Sequence, residues 1–331
     1  LFHLHQELSG EWIMAYTDID NPTEIFTANL YSGNATNGKT ITTGHTNDLI
    51  WTKGKSGTYG GRGLRIIDSV RGATKVLYGD QDLAQGTNNS SSGVTGFAST
   101  SYTIGGDADF NGAGTTYVSW TWKIQAGVCD IQTYDGASNT RTISHNLGVV
   151  PKAMIFKRFD EGAWIVYHAD AGGPNKYLVL NTTAAVDTAT TLFNNTVPTS
   201  SVFSVGNTNS TNGNGISYIV YLFGNKQGVS KVGSYTGNGA SSVNSGTFVY
   251  TGFKPALVIV KNLDTEGWQI WDNKRSSYNG EGSNLSANSA SAESTGVRVH
   301  FFSNGFQLVS SGADQNSSGA TFSYISFAES P

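Results

Sequence analysis

The sequence predicts an all-β protein built of three tandem, homologous antiparallel β-sandwich domains of jelly-roll-like form. Five sequence blocks recur in the same order with a period of roughly one hundred residues, which indicates an internal repeat. The blocks are short β-branched and aromatic runs bounded by Gly, Asn, Asp and Ser, a pattern typical of strands and turns. Charged residues amount to only 13%, too few for long surface helices supported by ion pairs.

The first two blocks are strands with a fixed polar ending. Each repeat opens with a strand in which a tyrosine precedes a glycine by two residues: Tyr31, Tyr134 and Tyr235. An apolar strand follows and ends in a lysine: Lys53, Lys157 and Lys261. In the second and third repeats Pro151 and Pro255 precede this strand, and a residue without an N–H suits a strand start.

The third and fourth blocks are shorter strands. The third begins at Trp164 and Trp268, and at Leu64 in the first repeat, where a glycine-rich insertion at 57–63 predicts a flexible hairpin tip. The polar stretch 69–75 that follows is the best candidate for a short helix, with a loop as the alternative. The fourth block covers residues 102–104, 203–205 and 306–308.

The closing block of each repeat is the longest strand candidate, at residues 111–122, 212–223 and 316–327. In the second repeat it is apolar on both faces, which predicts a strand buried on both sides. In the first repeat Val118, Trp120 and Trp122 share one face, and the opposite face is polar, which predicts a strand with one face in water.

The repeat period defines the domain boundaries that we expect. Repeat 1 covers residues 28–126, repeat 2 covers 127–228 and repeat 3 covers 229–331. Residues 1–27 have no counterpart, so we expect a lead segment or a junction to a preceding module. About one hundred residues is an ordinary size for one two-layered β domain.

Composition excludes several classes of protein. No apolar run approaches the ~18 residues of a transmembrane helix, so we expect no membrane insertion. The net charge of −4 lacks the basic excess of a nucleic-acid-binding surface. Apolar residues at 37% and aromatic residues at 11% supply a core and argue against disorder. The single cysteine, Cys129, excludes an internal disulfide, and we expect it to be a buried apolar residue.

No residue set predicts a catalytic, cofactor or metal site, and the ligand-binding residues stay unassigned. Residues 107–112 match the first half of a calcium loop, but Val118 occupies the position of the required glutamate, which favours a plain glycine turn. The acidic segments 160–162 and 264–267 align across repeats and are interpreted as turns rather than as an acid/base pair. His168 aligns with Asp68 and Asp272, which favours a polar role at a strand end.

The seven tryptophans offer two interpretations. They could form platforms on which sugars stack, or they could fill the core, and their repeated strand positions favour the core. Trp271 is the exception to watch, because its neighbours Trp268 and Ile270 point to the opposite face of the same strand.

Four strings carry a resemblance to a known family. They are DSVRGATK at 68–75, VPTSSVFSVG at 197–206, YTGNG at 235–239 and FVYTGFKPALVIVKN at 248–262. Together they resemble a repeated domain of uncharacterised function found in virion proteins of bacteriophages, especially phages of marine bacteria and cyanobacteria. The resemblance spans about residues 28–329, with the first repeat departing most, and it brings no catalytic residues.

The resemblance implies a non-enzymatic structural protein of the extracellular phage particle. We expect a tail-fibre component acting in host attachment, with a head decoration protein or lectin-like glycan-binding adhesin as the alternative and a polysaccharide depolymerase as the least favoured interpretation. The expected partners are two further copies in a homotrimer, other virion proteins, and a host surface glycan or protein, with no nucleic acid and no cofactor. A second arrangement, in which the three repeats form a pseudo-threefold ring within one chain, is an alternative to the homotrimer.

Overall fold

The computed structural model describes residues 4–6, 12–14, 19, 21–88, 91–276, 280, 282–296 and 298–330. The predicted all-β fold is confirmed, because the helical residues of these ranges are confined to the 3-10 turn Pro22–Glu24 and the short helix α1, Ala108–Asn111. Within the lead segment, β1 (Leu4–Gln6) pairs antiparallel with β2 (Trp12–Met14). All other strands belong to larger and smaller antiparallel sheets that occur three times.

Repeat 1 contains a six-stranded sheet in the order β3-β11-β5-β6-β7-β8 and a three-stranded sheet in the order β4-β10-β9. The strands are β3 (Phe26–Ser32), β4 (Lys39–Thr42), β5 (Leu49–Gly57), β6 (Arg65–Asp68), β7 (Lys75–Tyr78), β8 (Gly86–Thr87), β9 (Val94–Phe97), β10 (Ser101–Ile104) and β11 (Thr115–Trp122). Residues 69–74 form the turn between β6 and β7 and Lys75 begins β7, so the short helix considered for 69–75 does not form.

Repeat 2 contains a six-stranded sheet in the order β12-β19-β14-β15-β16-β17 and a two-stranded sheet, β13-β18. The strands are β12 (Cys129–Asp135), β13 (Arg141–Ser144), β14 (Ala153–Arg158), β15 (Ile165–His168), β16 (Lys176–Val179), β17 (Asp187–Thr188), β18 (Val202–Val205) and β19 (Ser217–Phe223). This strand order matches that of the large sheet in repeat 1 position by position.

Repeat 3 contains a five-stranded sheet in the order β20-β27-β22-β23-β24 and a three-stranded sheet in the order β21-β26-β25. The strands are β20 (Ser230–Thr236), β21 (Phe248–Tyr250), β22 (Lys254–Asn262), β23 (Trp268–Asp272), β24 (Leu285–Ser286), β25 (Val299–Phe302), β26 (Gly305–Leu308) and β27 (Thr321–Ser330). Pro255 lies at a register shift near the start of β22, where the strand pairing is interrupted and does not require the N–H that proline lacks.

The large sheet of each repeat is buried on both faces. One face packs against the small sheet of the same repeat, and the other faces a central core shared by all three repeats. Along β19, Val220 and Leu222 belong to the core of repeat 2, while the alternate residues Tyr221 and Phe223 belong to the central core. Alternate residues of a strand point to opposite faces, so one strand serves both cores.

The prediction that β11 has one face in water is wrong. Its residues from Tyr117 to Trp122 are all buried. Tyr117 packs into the repeat 1 sandwich, and the Thr121 hydroxyl lies 3.0 Å from the Thr27 hydroxyl and 3.3 Å from Nε2 of His45. Thr121 therefore finds its hydrogen-bond partners inside the sandwich, without water, whereas the hydroxyl of Ser119 is buried without a partner among the described residues.

Three equivalent rings meet at the centre of the molecule. Trp122, Phe223 and Phe327 are the last residues of the closing blocks of the three repeats, and their ring centroids are 5.4 to 6.2 Å apart. Phe26 stacks on Phe327 from the side of repeat 1, at 5.2 Å. The contacts between all three pairs of repeats make the arrangement a ring of three within one chain.

A buried asparagine fixes the same turn in each repeat. Asn111 accepts a hydrogen bond from the backbone N–H of Asn34 and donates to the carbonyls of Thr36 and Gly105. The equivalent residues Asn212 and Asn316 make corresponding bonds to their own loops, and all three are fully buried. The amide thus supplies partners for loop backbone groups that the strands leave unpaired.

Candidate functional site at the repeat junctions

The junctions between repeats hold most of the buried His, Lys, Arg and Asp side chains, and their geometry repeats around the ring. One backbone hydrogen bond marks each junction at equivalent positions: Gln85 N–H to Phe159 C=O, Val186 N–H to Leu263 C=O, and Glu293 N–H to Lys55 C=O. The first joins repeats 1 and 2, the second repeats 2 and 3, and the third repeats 3 and 1. The same contact therefore closes the ring.

The three lysines predicted to end their strands are fully buried at these junctions, but the strands continue past them, to Gly57, Arg158 and Asn262. Lys157 Nζ donates to three carbonyls, of which that of Asp82 belongs to repeat 1 and those of Asp160 and Gly162 to its own turn. Lys53 similarly reaches Ser289 of repeat 3, at 2.6 Å.

Lys261 is the third member of this set and bonds to carbonyls of its own turn. Burial lowers the pKa of Lys53, Lys157 and Lys261 to about 8, since the charged form loses water. Carbonyl oxygens replace part of that hydration, so the lysines act as cross-links between backbone segments.

The indole N–H groups of the third block add a second link. Trp164 Nε1 donates to the carbonyls of Tyr78 and Gln81 in repeat 1, at 2.8 and 3.1 Å. Trp268 Nε1 donates to the carbonyl of Val179 in repeat 2, at 2.9 Å. Repeat 1 has Leu64 at this position and makes no such bond.

Two junctions contain a buried carboxylate that accepts a hydrogen bond from the neighbouring repeat. At the junction of repeats 1 and 2, Asp68 Oδ2 accepts from the Tyr221 hydroxyl at 2.8 Å and pairs with Arg71 at 2.6 Å. At the junction of repeats 3 and 1, Asp272 Oδ2 accepts from Trp120 Nε1 at 3.0 Å and pairs with Arg275. The arginine three residues after the aspartate neutralises the charge in both cases.

The third junction has uncharged residues at the positions of the aspartate and the arginine. Ile325 occupies the position of Tyr221 and Trp120 and has no polar hydrogen to donate, and His168 and Ala171 replace the aspartate and the arginine. His168 Nε2 lies 3.3 Å from the Tyr324 carbonyl, which only accepts, and Nδ1 accepts from the Asp170 N–H at 3.3 Å. These bonds fix a neutral ring, and burial lowers the pKa of His168, which preserves that neutral form.

The predicted polar role of His168 at a strand end is therefore confirmed, but its partner across the junction was not predicted. The sequence does contain a pattern that indicates this contact. Asp68 and Arg71 recur as Asp272 and Arg275, and the acid is absent only where the facing repeat carries Ile325. The buried aspartate and the side-chain donor that faces it are thus present together or absent together, as expected for residues in contact.

A cleft of about 400 Å³ opens beside the junction of repeats 1 and 2. It is lined by Val70, Arg71, Lys75, Gln85, Thr133, Tyr134, Asp135, Phe159 and Ser217. Its polar groups already have partners in the fold: Arg71 bonds to Asp68, Gln85, Tyr221 and the Ile66 carbonyl, and Lys75 donates to Thr87. We assign no ligand to this cleft.

The other sequence candidates have structural roles. Asp107 caps helix α1 by accepting from the Asp109 N–H, so the half calcium loop is a helical turn. The segments 160–162 and 264–267 are bends and irregular loops between strands, where turns were predicted. No group of three potential metal ligands occurs within the described residues. Cys129 is buried, and burial raises the pKa of its thiol well above 9.

The six tryptophans whose side chains the structure describes are all buried, Trp271 included. The interpretation as core residues is confirmed for Trp51, Trp120, Trp122, Trp164, Trp268 and Trp271. The side chain of Trp12 lies outside the described part of the chain. A sugar platform built on these six indoles is excluded, because no ring face reaches solvent.

These features define an all-β protein whose buried ionisable groups join three similar units into a ring. The chain belongs to the family described as a domain of unknown function, DUF7483, whose model matches residues 21–331. No curated protein and no solved structure matches the chain. Among the described residues, no helix is long and apolar enough to cross a membrane.

Proposed function

We propose that the chain is a non-enzymatic structural protein of a bacteriophage particle, a tail-fibre component that acts in host attachment. The observation that carries this proposal is the closed set of junctions. Asp68, Asp272 and the three buried lysines each bond to groups that hold two segments or two repeats together. Groups used in this way stiffen a body, which is what a fibre segment under load requires.

Two further features support the proposal. The strings at 68–75 and 248–262 resemble repeated domains of phage virion proteins, and the first of them contains the junction pair Asp68 and Arg71. Charged residues at 13% leave a surface whose hydrogen bonding depends little on ionic strength, and salt screens exposed ion pairs strongly. In this proposal the chain acts as a homotrimer with other virion proteins on the extracellular particle.

Location on the particle tests the proposal most directly. Antibodies against the purified chain should label the tail fibres of intact phage in immunogold electron microscopy. The purified chain, added before infection, should also lower the rate of phage adsorption to the host. Label confined to the head would favour the decoration-protein alternative, and a particle without this chain would refute the proposal.

An enzymatic role makes a different prediction. A polysaccharide depolymerase shortens host capsule, whereas a structural attachment protein leaves its length unchanged. Size-exclusion chromatography of capsule incubated with the purified chain distinguishes the two, and shortened polymer would contradict the proposed non-enzymatic function.

A further inference from the structure

The small sheet of repeat 3 exposes a group of aromatic rings. The solvent face of β21, β26 and β25 carries Phe248, Tyr250, His300, Phe302 and Gln307, which we call the aromatic face. Phe248, Tyr250 and Phe302 are 46%, 62% and 38% exposed, and they are the only aromatic residues among the exposed large apolar side chains of the described chain. A cluster of this kind on a protein surface commonly marks a binding site.

Strand register places these side chains on one side of the sheet. Phe248, Gln307 and His300 lie opposite one another, and Tyr250, Gly305 and Phe302 form the next row. The ring centroids of Phe248 and Phe302 are 6.1 Å apart, and those of His300 and Phe302 are 6.2 Å apart.

Gly305 lies between the rings and keeps the face flat. A Cβ atom there would come within 2.9 Å of the Phe248 ring and 2.2 Å of the Val249 carbonyl. Any side chain at this position would therefore displace the ring that now covers the glycine.

The fold itself does not require these rings. The inward residue Val249 corresponds in register to Ile41 and Ile143, since each lies opposite the buried aromatic of the fourth block. The outward neighbours of Ile41 and Ile143 are Thr40 and Thr42 in repeat 1 and Thr142 and Ser144 in repeat 2. Repeats 1 and 2 thus form the equivalent strand pairs, β4-β10 and β13-β18, with hydroxyl residues where repeat 3 has Phe248 and Tyr250.

The aromatic face also offers hydrogen-bonding atoms and no charge. In the part of the chain that the structure describes, the Tyr250 hydroxyl and the ring nitrogens of His300 have no hydrogen-bond partner. Gln307 donates through Nε2 to the Gly246 carbonyl, which leaves Oε1 available. No Asp, Glu, Lys or Arg belongs to the face, and burial lowers the pKa of His300, so that its ring is neutral at pH 7.

We propose that the aromatic face binds an uncharged glycan. One face of a pyranose ring is lined by C–H groups and packs on aromatic rings, and its edge carries hydroxyls that match the free polar atoms of Tyr250, His300 and Gln307. β21 and β25 are two strand spacings apart, about 10 Å, which is the length of a disaccharide. The absence of charge selects against acidic sugars and nucleic acids. This inference deepens the proposed attachment function and rests on it for its biological role.

The test compares the aromatic face with its counterpart in repeat 1. The full chain is screened on an array of uncharged oligosaccharides, and the dissociation constant of the best ligand is measured by isothermal titration calorimetry. The variant F248T/Y250T installs the residues of repeat 1, and T40A/T42A is the matched control on repeat 1. We expect F248T/Y250T to weaken binding about tenfold or more, equivalent to ~1.4 kcal/mol, and the control to bind like wild type.

Both substituted residues are exposed, so the thermal unfolding midpoint of F248T/Y250T should match that of wild type. Absence of binding to every sugar of the array overturns the inference, as does binding that F248T/Y250T leaves unchanged. Sedimentation that shows wild type to self-associate and F248T/Y250T not to would assign the face to a second copy instead. Glycan binding by a chain absent from the phage particle would sustain this inference and refute the proposed function. Antibody-labelled fibres together with no binding on the array would sustain the proposed function and refute this inference.

Discussion

Replacing Arg71 with alanine leaves a buried carboxylate without its counter-charge. Both side chains are almost completely enclosed, with 3% of Arg71 and 0% of Asp68 exposed. After the substitution, Asp68 retains the Tyr221 hydroxyl at 2.8 Å and the backbone N–H of residue 71 at 2.9 Å. Two neutral donors offset only part of the cost of an isolated buried charge.

Removing one partner of a buried ion pair costs about 3–5 kcal/mol, and the two remaining donors place Arg71→Ala near the lower end. An unfolding entropy of ~2.1 cal/mol/K per residue gives about 0.7 kcal/mol/K for 331 residues that melt as one unit. The unfolding midpoint should therefore fall by about 4–7 °C. Urea denaturation followed by circular dichroism measures the free energy directly.

Arg158 supplies the matched control. Its pair with Asp160 lies at the surface, with 20% and 50% of the two side chains exposed. Surface pairs contribute about 0–1 kcal/mol, so Arg158→Ala should unfold at nearly the wild-type urea concentration. The double variant D68H/R71A copies the uncharged pair of repeat 2 and should recover part of the loss, because no charge remains buried.

Equal destabilisation by Arg71→Ala and Arg158→Ala would refute the account of the junction.

Four further expectations follow from burial. Trp122→Ala removes a ring of the central triad and should cost about 3–5 kcal/mol in urea denaturation; a loss below about 1 kcal/mol would contradict the packing described. Cys129 should resist Ellman's reagent in the native chain and react fully in urea; fast native labelling would contradict its burial. Because the folded state disfavours protonated His168, stability should fall as pH drops through about 6.5, and less steeply in His168→Asn. Burial raises the pKa of four tyrosines, so the stability that their neutral forms supply is present below pH 10 and is lost as the pH rises above it: Tyr31, Tyr134, Tyr221 and Tyr235. The lowered pKa of the three buried lysines acts in the opposite direction between about pH 8 and 10.5. A chain that loses no stability by pH 11.5 would contradict the tyrosine burial.

The strands were predictable because their signal is local. The lysine that ends the second block and the paired aromatics of the closing block recur at fixed spacing, and β-branched runs between glycines have few alternatives to a strand. The candidate junctions were only partly predictable. The sequence places Lys157 near the end of its strand, but nothing in its own segment shows that it reaches Asp82 in another repeat.

The error at β11 has the same origin. Ser119 and Thr121 are polar, and alternation with tryptophan is the pattern of a strand facing water. Their burial depends on a second layer that the sequence places far away, where His45 and Thr27 lie within hydrogen-bond distance of the Thr121 hydroxyl, while the Ser119 hydroxyl is buried without a partner in the described part of the chain. A periodicity of two identifies which residues share a face, whereas the surroundings of that face depend on tertiary packing.

The arrangement of the junctions constrains how copies of the chain can assemble. A contact between two different surfaces either closes into a ring or continues as an open filament. Here the backbone N–H of one repeat donates to the carbonyl that lies two residues after the buried lysine of another repeat. Three such contacts close the ring within a single chain, and their acceptors are the carbonyls of Phe159, Leu263 and Lys55. The surfaces that carry these contacts are therefore already buried within one chain, and the proposed homotrimer has to form through other surfaces. The chain itself already presents three small sheets, and within its described residues only that of repeat 3 exposes aromatic rings, so a trimer would display three of the proposed glycan sites rather than nine.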